Sequence, residues 1–186
     1  MKIIGISGSL RQDSYNTGLL RTASLLLPPE VDFEVLDISV FPLYNSDIER
    51  KGLTDAIRVA EHAIADADGV LFATPEYNYS YSGVLKNAID WISRPPLSAL
   101  SEKPVAVIGA SPGRYGTARG QMNLRQLLHS INAHVLPKPE LLVTDASSKF
   151  DKNRILIDEA TLHVYQTLLN KFTDYISIFQ TTEETV

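Results

Sequence analysis

The chain has 186 residues and 44% hydrophobic content; at about 150 residues per domain this predicts a single domain spanning 1–186 that buries roughly 70% of its unfolded surface, and it excludes general disorder. Lys and Arg number 17 against 22 Asp and Glu, a net charge of 17 − 22 = −5, so bulk electrostatics hold the chain to neither nucleic acid nor anionic lipid and any anion needs a local site. With no cysteine, thiolate metal sites, Fe–S clusters and cysteine nucleophiles are excluded and redox chemistry needs a cofactor.

The first apolar run, Ile3, Ile4, Gly5 and Ile6, is shorter than a secretory core, and no later run reaches the 18 or so residues of a membrane span. A cytoplasmic protein with no membrane partner is expected. Short apolar runs alternate with stretches of helical period, the pattern of βαβ units. Strands are predicted at Lys2–Ser7, Phe33–Ile38, Gly69–Thr74 and Pro104–Ala110, with a weaker fifth within Ala133–Thr144. The first, third and fourth lack alternation, as when helices cover both faces of a sheet.

Helical faces follow at Leu19/Leu20/Ala23/Leu27, Leu53/Ile57/Ala60/Ile64, Leu85/Ala88/Ile89/Ile92, Leu124/Leu127/Leu128/Ile131 and Tyr165 to Phe179. The tail 180–186 is predicted to fray. Five such units predict a three-layer, doubly wound α/β fold on a five-stranded parallel sheet, with ligands beyond the carboxyl ends of the strands.

Three loops therefore carry the candidates. The first, Gly8 to Asn16, runs into a helix, whose unpaired N–H groups and dipole favour an anion. Ser9, Arg11, Ser14 and Asn16 add donors, together suited to one phosphate. Neither G-x-x-x-x-G-K-[ST] nor G-x-G-x-x-G is present. The second loop, Thr74 to Gly83, sets Tyr77, Tyr79 and Tyr81 at alternate positions around Asn78, aromatic walls and polar groups for a flat ring such as a flavin. Trp91, within the following helical pattern, reads as core or interface.

The third loop, Gly109 to Thr117, contains a formal G-x-S-x-G around Ser111, in the strand–turn–helix setting of a serine hydrolase. Asp145, Asp151 or Asp158 and then His163 could follow as partners. That mechanism takes an oxyanion donor from the residue after the serine, which here is Pro112 and has no N–H. Losing one such donor costs about 3 kcal/mol of transition-state stabilisation. The four histidines, His62, His129, His134 and His163, show no metal-ligand spacing, so no metal is expected.

Gly8-Ser9-Leu10-Arg11-x-x-Ser14-x-Asn16, Pro75-Glu76-Tyr77-Asn78-Tyr79-Ser80 followed by Gly83 to Trp91, and Ser111-Pro112-Gly113-x-x-Gly116 together resemble the NADPH-dependent FMN reductase family, including its chromate and quinone reductases. The resemblance implies a flavodoxin-like fold, bound FMN, hydride from NADPH or NADH, a small-molecule acceptor such as a quinone, chromate, an azo compound or free flavin, and a homodimer or homotetramer. It makes Ser9, Arg11, Ser14 and Asn16 the phosphate cradle, sets Pro75, Glu76, Tyr77 and Asn78 against the isoalloxazine, and closes the ring's other edge with Ser111, Gly113 and Gly116. The flavin then carries the chemistry and no catalytic side chain is required.

Ser82 stands where many members have proline, which is expected to loosen the second loop. Asp13 puts a carboxylate beside the expected phosphate and must face solvent. Arg114, Arg119, Arg50 and Lys51 could each meet a 2′-phosphate, leaving NADPH and NADH both open. A flavodoxin-type electron carrier is the alternative, with the serine hydrolase a remote one.

Overall fold

The structure, a computed structural model, describes residues 1–183. Its elements run β1 (Lys2–Ser7), α1 (Tyr15–Leu26), β2 (Asp32–Leu36), α2 (Ser46–Arg50), α3 (Asp55–Ala65), β3 (Gly69–Ala73), α4 (Gly83–Ile92), β4 (Pro104–Ala110), α5 (Ala118–Ser130), β5 (His134–Val135), β6 (Leu141–Val143), α6 (Ala146–Lys149) and α7 (Glu159–Glu183). All strand pairs are parallel, in the order β2-β1-β3-β4-β5, with β6 also on β4. This is the flavodoxin-like arrangement, whose chain direction across the sheet reverses between β1 and β3.

The apolar runs of β1, β3 and β4 are divided by the period of two. Ile4, Ile6, Val70, Phe72, Val105 and Val107 face the layer of α3, α4 and α5. Ile3, Leu71, Ala73, Ala106 and Ile108 face α1 and α7. Both faces are covered, which explains why these strands read as continuous rather than alternating.

The expected fifth strand is two. Pairing offsets from β4 are 134 − 104 = 30 at β5 and 141 − 108 = 33 at β6, so three extra residues leave the ladder between them. Pro137 and Pro139 lie in that excursion, in keeping with the confinement of proline within sheets to edges and interruptions. The final helix also departs from expectation. It continues through Gln180 to Glu183 instead of fraying at 180, while 184–186 fall outside the described residues. The short helices α2 and α6 have no counterpart in the sequence reading, because four or five residues are too few for a period to register.

Trp91 is fully buried, and its Nε1–H donates to the Pro42 carbonyl at 2.8 Å. Asn87 donates to the same carbonyl and accepts from the Tyr44 amide. These two side chains of α4 pin the segment after β2 against the sheet, which assigns Trp91 to the core and removes it from any interface.

Candidate active site

The carboxyl ends of β1, β3 and β4 lie side by side, and the three loops that leave them enclose a cleft of about 240 Å³. Ser9, Arg11, Ser14, Asn16, Pro75, Glu76, Tyr77 and Ser111 line it. Thus eight residues chosen from three distant stretches of sequence meet at one place.

The first loop keeps most of its polar groups unengaged. Ser14 caps α1, its Oγ accepting from the Asn16 and Thr17 amides, so the hydroxyl proton remains available to a ligand oxygen. Among the described residues the amides of Gln12, Asp13, Ser14 and Tyr15 donate to no protein acceptor. These donors stand at the start of α1, the end of a helix whose dipole favours an anion. Arg11 is exposed and reaches only the Asp13 carbonyl, at 3.3 Å. Asp13 is exposed and faces solvent.

Asn16 lines the same cleft in a different capacity. Its amide is engaged reciprocally with Ala110, donating to the carbonyl at 3.1 Å and accepting from the N–H at 2.9 Å. It therefore joins the first turn of α1 to the end of β4 and sets the width of the cleft, where the sequence reading had it contacting phosphate directly.

The second loop is closed by a tight turn. Tyr77 and Ser80 exchange both backbone hydrogen bonds, at 2.8 and 2.9 Å, around Asn78 and Tyr79, whose φ values are +49° and +69°. That is a two-residue turn with positive φ at both central positions, and asparagine is among the few side chains that tolerate it. Asn78 is consequently at an exposed tip and does not line the cleft.

Glu76 lines the cleft and uses its carboxylate to cap α5. Oε2 accepts from the Arg119 and Gly120 amides at 3.0 and 3.1 Å, and Oε1 from the Arg119 guanidinium at 3.4 Å. The helix needs this cap because Thr117 precedes it in the left-handed region with no side-chain cap of its own. Arg119 lies between the rings of Tyr79 and Tyr115, 4.0 and 3.8 Å from their centroids.

Ser82 tightens the loop rather than loosening it. Its hydroxyl donates to the Gly8 carbonyl at 2.6 Å and accepts from the Leu85 amide, so one buried side chain caps α4 and ties the second loop to the first.

In the third loop, Ser111 lines the cleft but Gly113 and Gly116 do not. Gly116 has φ +52°, and a Cβ there would lie 2.6 Å from the backbone of Leu142. The position requires glycine for packing against β6, with no ligand needed to explain it. The Ser111 hydroxyl donates to the Gly113 carbonyl at 3.4 Å, and His163 sits on the exposed side of α7; no imidazole activates the serine, and the hydrolase reading fails. Among the described residues no cluster of His, Asp or Glu could hold a metal, and no helix is long and apolar enough to cross a membrane.

Tyr15 and Pro112 also line the cleft and were not candidates from sequence. The signal for Tyr15 was an aromatic residue at the first position of the helix that the first loop enters. Of the four cations considered for a 2′-phosphate, Arg119 is held between its two rings and Arg50 pairs with Asp47, leaving Arg114 and Lys51 exposed.

Residues 1–148 match the family described as NADPH-dependent FMN reductase. An NAD(P)H-dependent FMN reductase of Pseudomonas aeruginosa is 49% identical over 169 residues, 91% of each chain. A 2-hydroxy-1,4-benzoquinone reductase of Burkholderia is 38% identical over 177 residues, covering 95% of this chain and 96% of that one. Among solved structures, the flavoenzyme FerB of Paracoccus denitrificans, an NAD(P)H:acceptor oxidoreductase, superposes with a TM-score of 0.87 at 33% identity, covering 95% of this chain and 97% of its own. By sequence, by fold and by the loops that meet at its cleft, the chain belongs to the NADPH-dependent FMN reductase family of oxidoreductases, which use FMN and NAD(P)H.

Proposed function

We propose that the chain, as one FMN-binding domain over 1–186, passes reducing equivalents from NAD(P)H through FMN to a quinone or similar small acceptor, both substrates using the same flavin face in turn. The observation that carries this reading is the convergence of the three loops on an anion site flanked by a slot. Ser14, the four unengaged amides and Arg11 suit the phosphate. The wall of Pro75 and Tyr77 and the opposing Ser111 and Pro112 suit the ring edges. Bound FMN supplies hydride acceptance and donation. The protein's own groups hold the phosphate, orient the ring and leave one face open beside Tyr77, which is 52% exposed.

A quinone is a flat, uncharged acceptor that suits the open face beside Tyr77, and the benzoquinone reductase among the relatives supports that choice. The reading places the protein in the cytoplasm with its reduced nucleotide. It also takes at least a dimer: Tyr77 at the cleft and Tyr79 and Tyr115 against Arg119 are all exposed, and aromatic residues of this kind are favoured at interfaces. Light scattering showing a monomer at micromolar concentration would count against the dimer.

The deciding experiment is the visible spectrum of the FMN-loaded protein before and after anaerobic NADPH or NADH, followed by steady-state turnover with a quinone. Bleaching, with parallel double-reciprocal lines, is the expected result. A yellow protein that neither nucleotide bleaches would be an electron carrier instead.

A further inference from the structure

A second cleft of about 300 Å³ lies on the other side of the first loop, against the end of β2, and shares Ser9 and Arg11 with the first. Its volume is at the lower end of small-molecule sites, too small for a whole dinucleotide and adequate for half of one. Its lining divides by chemistry. Arg11 and Arg21 supply cationic donors: each guanidinium has five N–H groups, and the hydrogen bonds made are one to the Asp13 carbonyl and one to the Asn153 carbonyl. Leu10 and Val35 give an exposed apolar wall. Asp37, just past β2, presents a carboxylate steadied by the Ser39 amide at 2.8 Å. Hydrogen bonding from the Ser39 side chain and backbone holds its pKa below the ordinary value, so it is an acceptor at neutral pH.

We infer that this cleft takes the adenosine half of the nicotinamide cosubstrate, with the pyrophosphate on Arg11 and Arg21, the adenine on Leu10 and Val35, and the ribose hydroxyls on Asp37. The assignment rests on the hydride-transfer reading above and adds a choice of cosubstrate to it. An ionised carboxylate accepts hydrogen bonds from ribose hydroxyls, and a 2′-phosphate would set a dianion against it. The cleft therefore favours NADH over NADPH. Arg11, lining both clefts, would bridge the phosphate of the flavin and the pyrophosphate of the incoming nucleotide.

Asp37 and Arg21 are exposed, so Asp37→Asn and Arg21→Ala should fold. In the FMN-loaded protein, ADP-ribose should compete with NADH, and Asp37→Asn should raise the KM for NADH about tenfold, the scale of one hydrogen bond to a charged group. The same variant should lower the KM for NADPH and leave the KM for the quinone unmoved. A wild type that prefers NADPH, or an Asp37→Asn variant whose preference does not change, overturns the assignment. Calorimetric titration with ADP-ribose separates this from the parent reading. If neither nucleotide bleaches the flavin, the reductase reading fails. The cleft is still decided by whether ADP-ribose binds the wild type and binds Asp37→Asn and Arg21→Ala about tenfold more weakly; equal binding, or none, refutes it.

Discussion

The first loop and the second loop face one another across the cleft and are built on opposite principles. Between Ser9 and Tyr15 the backbone amides and the arginine are largely without protein partners. Between Pro75 and Ser82 the loop is tied down at chosen points: Tyr77 with Ser80, Glu76 with the start of α5, Ser82 with Gly8 and Leu85. The two together show how a chain can leave donors open to a ligand. The open loop is held at its ends by Ser82 and by the Asn16–Ala110 pair, so its own groups are not needed for the fold.

The largest effect should come from cutting the engaged side. Glu76→Ala removes two charge-assisted bonds to backbone amides and leaves the first turn of α5 uncapped, a loss of about 2–4 kcal/mol. Chemical denaturation should show it with or without FMN. A variant as stable as the wild type would mean that Thr117 and solvent cap the helix well enough alone.

On the open side the outcome should be reversed. Arg11→Ala should leave the stability of the apoprotein unchanged and weaken FMN by about ten- to a hundredfold, the equivalent of one charged hydrogen bond of about 1.5–3 kcal/mol. Riboflavin, lacking the phosphate, should bind both proteins alike. Equal losses for the two flavins would move the phosphate elsewhere.

Ser82 tests the joint between the two loops. Its φ of −71° and ψ of 150° are compatible with proline, so Ser82→Pro keeps the backbone while deleting both hydrogen bonds of the hydroxyl. A loss of about 1–2 kcal/mol of stability should come with weaker FMN binding, since the Gly8 carbonyl is released. Unaltered FMN affinity would show that the first loop holds its shape without the tether.

Glu61 shows that an unengaged polar atom is not by itself a site. It is 4% exposed, its Oε1 has no partner, and burial raises its pKa. A carboxyl with a raised folded-state pKa binds its proton more tightly when folded, so its ionisation costs stability as pH rises above the ordinary carboxylate range. Glu61→Gln should therefore stabilise the protein at pH 7 by about 1 kcal/mol, a gain that disappears in acid. Denaturation at both pH values checks it. A loss at pH 7 would show that the carboxylate is better accommodated than its missing partner implies.

The strands were legible because β1, β3 and β4 are covered on both faces, and the cleft because Ser9, Arg11 and Ser14 bring donor chemistry to a helix start. What could not be read were the directions of side chains across the fold. Glu76 and Asn16 have residue types suited to a ligand, yet their partners are the amides of Arg119 and Gly120 and the backbone of Ala110, 43, 44 and 94 residues away. Ser82 looked like a weakness for the same reason. Its value depends on a carbonyl 74 residues earlier in the chain.

The break between β5 and β6 also bears on how the protein avoids its own kind of misassembly. An uninterrupted parallel edge beside β4 would offer a long row of N–H and C=O groups to a foreign strand. Here that edge is a two-residue strand, an excursion with two prolines and a three-residue strand, too broken to template an added ladder. The opposite edge, β2, carries Asp32 and Glu34 exposed, and their charge opposes strand addition there. The sheet is thus closed to aggregation at one border by covalent shape and at the other by electrostatic repulsion.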